Sequence, residues 1–326
     1  MHIQEQQLIN ASSLSQFLLL EFSKVRELQI LYFIGFLVFY LAAVAGNLLI
    51  ISAVAFGHHL NTPMYFFLMN LAMQDVGQVS VIFPKAMADA LMNCRHISYS
   101  GCVTQVLLFV FFLASDFFLL TAMAYDRYIA ICNPLHYDML MNKQSCIHLV
   151  TTIWIISFCY GVLHTGGTFA SPFCSNVVNQ FFCEIPQLLK LACSNLYLTE
   201  IGILFVSALI VLGCFIFIIV TYVHIFTAVL RIPSVQGRQK AFSTCLPHLI
   251  VFSTFILTGY FAYYKPTSNS TSDLDLAFTM IYTMVPPLMN PIIYSMRNKE
   301  IKYTVSKLLG VRYFSRCASS SLVMQR

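Results

Sequence analysis

Residues 30–56 decide the fold, and they read ILYFIGFLVFYLAAVAGNLLIISAVAF. The run contains no charged side chain, and it is longer than the roughly 20 apolar residues that an α-helix needs to cross a bilayer. A strand of a membrane β-barrel would instead alternate apolar and polar residues over about 10 positions. The continuous run therefore predicts a membrane-spanning helix.

The composition of all 326 residues points to the same class of protein. The chain is 58% hydrophobic and only 10% charged, whereas roughly a quarter of the residues in a soluble protein are charged. Its mean hydropathy is +0.75, and disordered chains are poor in apolar residues. Soluble and disordered proteins are therefore excluded.

Further apolar runs follow the first one. We predict an all-α membrane protein, a seven-transmembrane helix bundle with a short amphipathic helix after the last span. The predicted spans are 30–56, 64–83, 102–131, 147–169, 197–230, 241–264 and 276–294. Residues 1–29 would form an extracellular N-terminus, residues 30–294 the seven-transmembrane domain, and residues 295–326 a cytoplasmic amphipathic helix and tail.

Basic residues set the predicted orientation. Of the 18 Lys and Arg residues, 12 lie in the 126–146 and 231–240 loops or after residue 294. Cytoplasmic loops carry such an excess, so we expect a plasma-membrane protein with its N-terminus outside and its C-terminus inside. The positive charge would face anionic membrane lipid and not nucleic acid. Asn10 and Asn269 begin glycosylation acceptor triplets, both on the predicted outer side.

Two acidic residues are predicted to lie inside the membrane. Asp75 and Asp116 each lie about 16 Å from the cytoplasmic end of their span at 1.5 Å per residue, so they share one depth. Two bare charges cannot persist together there, so the pair either shares a proton or holds a cation. With Asn47 and Asn290 in adjoining spans, the oxygen-rich set would suit Na⁺. The spacing leaves both interpretations open.

Two more motifs lie at the cytoplasmic ends of spans. Residues 126–128 read DRY and end the third span. An Arg at a helix end commonly extends to the lipid headgroups, but Arg127 also shares a helix face with Asp116. Three prolines between residues 286 and 291 should distort the seventh span, which suits an element that moves.

Motifs of enzymes are missing from the chain. It has no Gly-rich phosphate loop, no HExxH zinc pattern and no nucleophile elbow, so we predict that it is not an enzyme. The nine histidines show no metal-ligand spacing. We expect His164, His224 and His248 to pack or to make local hydrogen bonds.

Five cysteines would lie on the oxidising outer side, where disulfides persist. An odd number leaves at least one without a partner in the chain, and spacing alone cannot choose the pairs. The five are Cys94, Cys102, Cys174, Cys183 and Cys193.

Four strings of residues resemble the olfactory receptors, a family of rhodopsin-like G-protein-coupled receptors. They cover the chain in the right order from the first span to the tail. The short second outer loop is similar to that of the tetrapod-type (class II) group. The strings are PMYFFL at 63–68, MAYDRYIAIC at 123–132, KAFSTC at 240–245 and PIIYSMRNKE at 291–300.

The resemblance implies two disulfides, Cys102 to Cys183 and Cys174 to Cys193, which leaves Cys94 as the odd cysteine. It also implies that the pair at 75 and 116 is the family's sodium-linked acidic pair. Glu is usual at the second position, and this chain has the shorter Asp. No other cofactor is implied.

The resemblance further implies a receptor that couples to the olfactory stimulatory G protein and raises cyclic AMP. Arg127 would engage the G protein when the sixth span moves outward, with Tyr222 and Tyr294 closing the gap. The implied coupling and switch residues are Asp126, Arg127, Tyr128, Tyr222, Asn290, Pro291 and Tyr294.

An odorant pocket would lie above Asp116. No lining residue is charged, so we expect a small, neutral, hydrophobic and volatile ligand. Tyr260, Tyr263 and Thr283 would be its hydrogen-bonding members. The implied lining is Phe109, Val110, Leu113, Val206, Ile210, Gly259, Tyr260, Tyr263, Met280 and Thr283.

One departure from the family lies in the sixth span, where the usual Phe-Tyr-Gly-Thr reads FILT at 255–258. Loss of the Tyr hydroxyl at Ile256 would change switching. Two alternative hypotheses stay open. One is a receptor for a non-volatile ligand outside the nose, and the other is a seven-span channel or transporter whose pathway uses the buried acids.

Overall fold

The computed structural model describes residues 15–57, 60–193, 197–231, 233–264, 273–297 and 299–308. Across these ranges the chain is almost entirely helical, as predicted. The long helices are α1 (Arg26–Phe56), α2 (Pro63–Met92), α3 (Tyr99–Cys132), α4 (Lys143–Phe169), α5 (Tyr197–Leu230), α6 (Val235–Tyr264) and α7 (Asp273–Arg297), followed by the shorter α8 (Lys299–Leu308). Short helical turns also occur at Pro134–His136, Tyr137–Leu140 and Ile185–Leu189.

Six of the long helices, all except α6, are apolar and long enough to cross a membrane. Helix α6 contributes a shorter apolar section, His248–Leu257. Most helices extend past the predicted spans, and α1 already begins at Arg26. The seven-helix bundle predicted from the apolar runs is confirmed, and α8 follows the last long helix as expected.

The helix ends follow local sequence signals. The Ser98 side chain caps α3 by accepting a hydrogen bond from the Gly101 N–H at 3.0 Å, and the Asn142 side chain caps α4 in the same way. Both residues are of the type that satisfies the free N–H groups of a first helical turn. Helix α2 ends at Asn93, whose φ of 52° lies in the left-handed region that Asn tolerates.

Close helix packing depends on glycines at two contacts. A Cβ at Gly77 would overlap the Phe112 ring of α3, and a Cβ at Gly161 would lie 3.0 Å from the Leu107 carbonyl oxygen of α3. Membrane helices commonly use small residues to bring backbones together in this way. Helix α3 is therefore held tightly by its neighbours α2 and α4.

The two disulfides define one end of the bundle, which we call the disulfide end, and we call the opposite end the Arg127 end. At the disulfide end a short strand, β1 (Gln16–Leu18), pairs antiparallel with β2 (His96–Ser98). Leu18 also bridges to Val177 in the loop between α4 and α5, and Phe17 is fully buried. The segment before α1 is thus built into the cap of the bundle, which the sequence did not indicate.

Replacing Gly77 by Ala should destabilise the protein. The added methyl group forces the Phe112 ring to move, and overpacking of this kind costs about 1–3 kcal/mol. Gly166→Ala is the matched control, because a Cβ at Gly166 has no atom within 4 Å. We expect a lower thermal unfolding midpoint for Gly77→Ala only, measured on the purified protein in detergent. Equal midpoints for the two variants would contradict the packing argument.

Candidate functional site

Two disulfides hold the loop between α4 and α5 over the bundle. Cys102 of α3 is joined to Cys183, with Cα atoms 5.5 Å apart, and Cys174 is joined to Cys193. Both pairs implied by the sequence resemblance are present. Cys94 is exposed and free, as expected.

Gln105 fixes the same loop to the helices below it. Its Oε1 accepts a hydrogen bond from the Cys183 N–H at 2.8 Å, and its Nε2 donates to the Val81 carbonyl oxygen of α2 at 3.0 Å. The side chain is 5% exposed. Both the oxygen and the nitrogen of this buried amide therefore have a partner. These bonds fix the position of the loop relative to α2 and α3.

Two buried hydrogen bonds join the loop to α7. The Tyr282 hydroxyl donates to Glu184 Oε1 at 2.7 Å. Gln180 Nε2 donates to Thr279 Oγ1 at 2.8 Å. All four side chains are buried, so the loop segment 180–184 forms a roof between α3 and α7. Neither pair was found from the sequence, because the two partners are far apart along the chain.

Phe109 packs directly beneath this roof. Its ring lies 5.2 Å from that of Phe182 and 6.1 Å from that of Tyr282, and Phe109 is only 2% exposed. Leu113 and Met280 pack against the same cluster. All five of these residues are apolar or aromatic, and they form a water-poor region beneath the roof.

The other predicted lining residues lie in different surroundings. Val110 is buried in the adjacent cluster around Cys102 and Cys183. Val206 and Ile210 of α5 are 55% and 42% exposed and lie outside the buried clusters. Their rotation about the α5 axis could not be fixed from the sequence, and their role as lining residues stays a prediction.

Thr283 is fully buried, but its hydroxyl donates to the Thr279 carbonyl oxygen of its own helix at 2.8 Å. It keeps only acceptor capacity for another molecule. Gly259 is half-buried, with open space where a Cβ would stand. The side chains of Tyr260, Tyr263 and Tyr294 lie outside the described part of the chain, as do Asn10 and Asn269.

A polar core lies deeper in the bundle. Asn290 Nδ2 of α7 donates to Asp75 Oδ2 of α2 at 2.9 Å. Asn47 Nδ2 of α1 donates to the Pro287 carbonyl oxygen at 2.9 Å. Asp116 is buried and close enough to Asp75 for their charges to interact. The structure thus brings Asn290 into contact with Asp75 and places Asp116 near it, while Asn47 bonds the backbone of α7.

Several oxygen atoms of this core have no hydrogen-bond partner among the described residues. They are Asn47 Oδ1, Asp75 Oδ1, Asp116 Oδ1 and Asn290 Oδ1. An unpaired buried polar atom costs about 1–3 kcal/mol, so such a cluster suits a bound cation or water. The donor set consists of hard oxygen atoms, which fits Na⁺ and does not fit a transition metal.

The Arg127 end carries a second set of polar contacts. Arg127 is buried, and its guanidinium donates to the Met123 carbonyl oxygen at 3.3 Å. Neighbouring Asp126 accepts a hydrogen bond from the Tyr137 hydroxyl at 2.8 Å. Burial, followed by the negative charge of Asp126, raises the pKa of Tyr137, so the phenol stays protonated and remains a donor.

His248 joins three helices beside this set. Its Nε2 lies 2.8 Å from the Leu120 carbonyl oxygen of α3, and its Nδ1 lies 2.8 Å from the Tyr222 hydroxyl of α5. A carbonyl can only accept, so Nε2 carries the proton and Nδ1 of the neutral ring accepts from Tyr222. The sequence predicted that this residue would pack or make local hydrogen bonds. In the structure, His248 of α6 instead connects that helix to both α3 and α5.

The other two single histidines behave as expected. His164 Nε2 lies 2.9 Å from the Ser207 hydroxyl, and the His224 ring packs 6.1 Å from the ring of Tyr128. Packing and hydrogen bonding are as expected, and both contacts join neighbouring helices.

An exposed apolar residue lies close to the Asp126–Tyr137 contact. Leu135 is 94% exposed, and Met139 in the following turn is 64% exposed. Both belong to the connection between α3 and α4 at the Arg127 end. The sequence does contain a signal for this feature, because Leu135 is an apolar residue that follows Pro134 in a largely polar loop. The sequence prediction did not include it.

Comparison with known proteins adds independent findings. A family profile described as "Olfactory receptor" matches residues 36–312. Human olfactory receptor 14A16 is 46% identical over 92% of this chain and 97% of its own length. Human olfactory receptor 14A2 is 46% identical over 93% of this chain and 97% of its own length. Gorilla olfactory receptor 1G1 is 44% identical, also over 93% of this chain and 97% of its own length. The crystal structure of squid rhodopsin superposes with a TM-score of 0.68 at 16% identity, covering 89% of this chain and 87% of that chain.

Replacing Tyr282 by Phe should loosen the roof. The change removes a buried hydrogen bond to a carboxylate, which contributes about 1.5–3 kcal/mol. Hydrogen exchange of the backbone amides of residues 180–189 should therefore accelerate at least about tenfold. Tyr40→Phe is the matched control, because the Tyr40 hydroxyl makes only a surface contact of 3.2 Å with Ser80. Unchanged exchange in Tyr282→Phe would contradict the assigned role of this bond.

Proposed function

The chain belongs to the olfactory receptor family, and from that premise we propose that this odorant receptor binds a small, neutral, hydrophobic ligand and activates a stimulatory G protein. As a member of the family it is a multi-pass membrane protein and a signalling receptor, not an enzyme. The ligand class, the G-protein class and the rise in cyclic AMP are the proposed parts.

The observation that carries the ligand proposal is the surrounding of Phe109. This side chain is buried between α3, α7 and the roof, in contact with the aromatic rings of Phe182 and Tyr282. The carboxylate of Glu184 is bonded by Tyr282 and lies in the roof, outside the set of lining residues. An apolar molecule would gain about 25 cal/mol for each Å² of its surface that is buried here.

The Arg127 end supports coupling to a cytoplasmic partner. Leu135 is 94% exposed and Met139 is 64% exposed, and together they offer apolar surface that a partner could bury. Leu135 lies beside the Asp126–Tyr137 bond that positions its loop. We propose that Leu135 and Arg127 together form the docking site for the G protein.

The switch follows from the His248 contacts. Outward movement of α6 must break the bond from His248 to Leu120 and the bond from Tyr222 to His248. The freed Tyr222 hydroxyl can then turn toward Arg127. A ligand that prefers the open arrangement shifts the population of receptors toward it.

We propose that the disulfide end faces outside the cell and the Arg127 end faces the cytoplasm, in the plasma membrane. The two disulfides suit the oxidising side. In this orientation Asn10 and Asn269 would be available for glycosylation. The proposed partners are thus an odorant on one side, the olfactory stimulatory G protein on the other, and membrane lipid around the bundle.

The test is a panel of volatile molecules screened for cyclic AMP in cells that display the chain at their surface. We expect responses to neutral hydrophobic members, and loss of those responses in Arg127→Ala and Leu135→Asp at equal surface expression. Asp138→Asn, an exposed change in the same loop, should leave the response unchanged. A best agonist that is a carboxylate or an amine would contradict the ligand proposal. Responses that survive Arg127→Ala would contradict the coupling proposal.

We further propose that the polar core binds Na⁺ as an allosteric ion. Asp75 and Asp116 would supply the carboxylates, and the unpaired oxygen atoms of Asn47 and Asn290 would complete an oxygen-rich set. One sodium ion would offset the repulsion between the two buried carboxylates.

Sodium should therefore raise the thermal midpoint of the wild-type protein when NaCl replaces KCl at constant ionic strength. At ten times its dissociation constant, an ion that binds only the folded state adds about 1.4 kcal/mol. Asp75→Asn and Asp116→Asn should lose the sodium-specific shift, whereas Asp138→Asn should keep it. A shift of the same size in Asp75→Asn would show that sodium acts elsewhere.

A further inference from the structure

A polar groove opens on the outside of the bundle between α2 and α3, near the disulfide end. Its volume is about 490 Å³, and its walls include Ser80, Val81, Lys85, Ser98, Thr104 and Leu108. We propose that this groove binds the phosphate-bearing headgroup and upper acyl chain of one membrane phospholipid. It is separate from the region around Phe109 and does not depend on the odorant or the G protein.

The depth of the groove matches the headgroup boundary of a bilayer. Lys85 lies about 15 Å beyond Asp75 along α2 at 1.5 Å per residue, and half of the hydrocarbon core is also about 15 Å thick. Ser80 lies about half as far from Asp75. With Asp75 near the midplane, the groove runs from the phosphate level into the upper part of the acyl-chain region.

Lys85 supplies a cation with one donor to spare. An ammonium group has three N–H donors. One donates to Asp89 and a second to the Cys94 carbonyl oxygen at 2.7 Å. The Asp89 side chain is 3% exposed, whereas that of Lys85 is 25% exposed. Among the described residues, the third donor is therefore left for an acceptor in the groove.

Two pairs of hydroxyl groups have further protons to donate. The Tyr40 and Ser80 hydroxyls lie 3.2 Å apart, and those of Ser98 and Ser100 lie 3.4 Å apart. Each pair holds two protons and uses one in its mutual bond. Ser80, Ser98 and Ser100 line the groove, so with Tyr40 donating to Ser80 the groove offers three donors: the Lys85 ammonium, the Ser80 hydroxyl and one hydroxyl of the Ser98–Ser100 pair.

Because the groove has more hydrogen-bond donors than acceptors, it favours a ligand that carries acceptors. A phospholipid headgroup and its glycerol esters present phosphate and carbonyl oxygen atoms, which only accept hydrogen bonds. The apolar side chains of Val81 and Leu108 suit the start of an acyl chain. Because Asp89 balances the charge of Lys85, the groove suits a zwitterionic phospholipid better than a free anion.

The test uses the full chain in nanodiscs of phosphatidylcholine that contain a trace of phosphatidylcholine with a photoreactive group near the glycerol. Both leaflets have one composition, so the result does not depend on the orientation of the receptor. After irradiation, labelled peptides are mapped by mass spectrometry. We expect labelling of residues 78–108 to exceed that of the membrane-facing part of α4 at least threefold.

Ser80→Leu combined with Thr104→Leu fills the groove and keeps Lys85. Thr151→Leu combined with Thr152→Leu is the matched control, because both threonines are exposed on α4. The first variant should lose the excess labelling and the control should keep it. The thermal unfolding midpoint of each variant should match that of the wild-type protein, which shows that both are folded. Equal labelling of the two variants would overturn the site.

Two further arms test what the groove recognises. A diacylglycerol probe with the same photoreactive group should label the groove at least threefold less than the phospholipid. Equal labelling would overturn recognition of the phosphate. Inorganic phosphate at millimolar concentration should not displace the phospholipid, and displacement would identify a site for free anions instead.

Discussion

The structure depends on one constraint: a polar side chain inside a bilayer must find its partner within the protein. In this chain the partner usually belongs to another helix. Asn290 bonds Asp75 between α7 and α2, Asn47 bonds the backbone of α7 from α1, and Gln105 joins α3 to α2. Apolar surfaces gain little from meeting one another when lipid is the alternative. These polar bonds and the close contacts at glycines therefore determine which helix faces are neighbours.

The same constraint divides the bundle into three levels with different functions. At the disulfide end, buried hydrogen bonds and Cys102–Cys183 hold the roof over Phe109. In the middle, buried oxygen atoms of Asn47, Asp75, Asp116 and Asn290 have no hydrogen-bond partner among the described residues. At the Arg127 end, His248 closes α6 against α3 and α5.

Much of this architecture could be predicted from the sequence. The apolar run at 30–56 and the six apolar runs that follow it predict the helices. A rise of 1.5 Å per residue places Asp75 and Asp116 at one depth. The disulfide pairs required the family resemblance, because the spacing of five outer cysteines leaves the choice open. The pairing of β1 with β2 could not be predicted, since three residues carry too little pattern and their partner lies in a distant loop. The exposure of Val206 and Ile210 depends on the rotation of α5, which a helix that is apolar on every face does not specify. His248 was underestimated because its partners are a backbone carbonyl and a tyrosine on other helices.

The central claim is that the bonds of His248 hold the bundle closed at the Arg127 end. The most direct measurement is the distance between spin labels at Lys143 on α4 and Gln239 on α6, by double electron–electron resonance. The labels would be attached through unnatural amino acids, which leaves the native cysteines unchanged. In the absence of ligand, we expect one short distance in the protein that keeps His248 and an added, longer population in His248→Phe. The same single distribution in both proteins would contradict it.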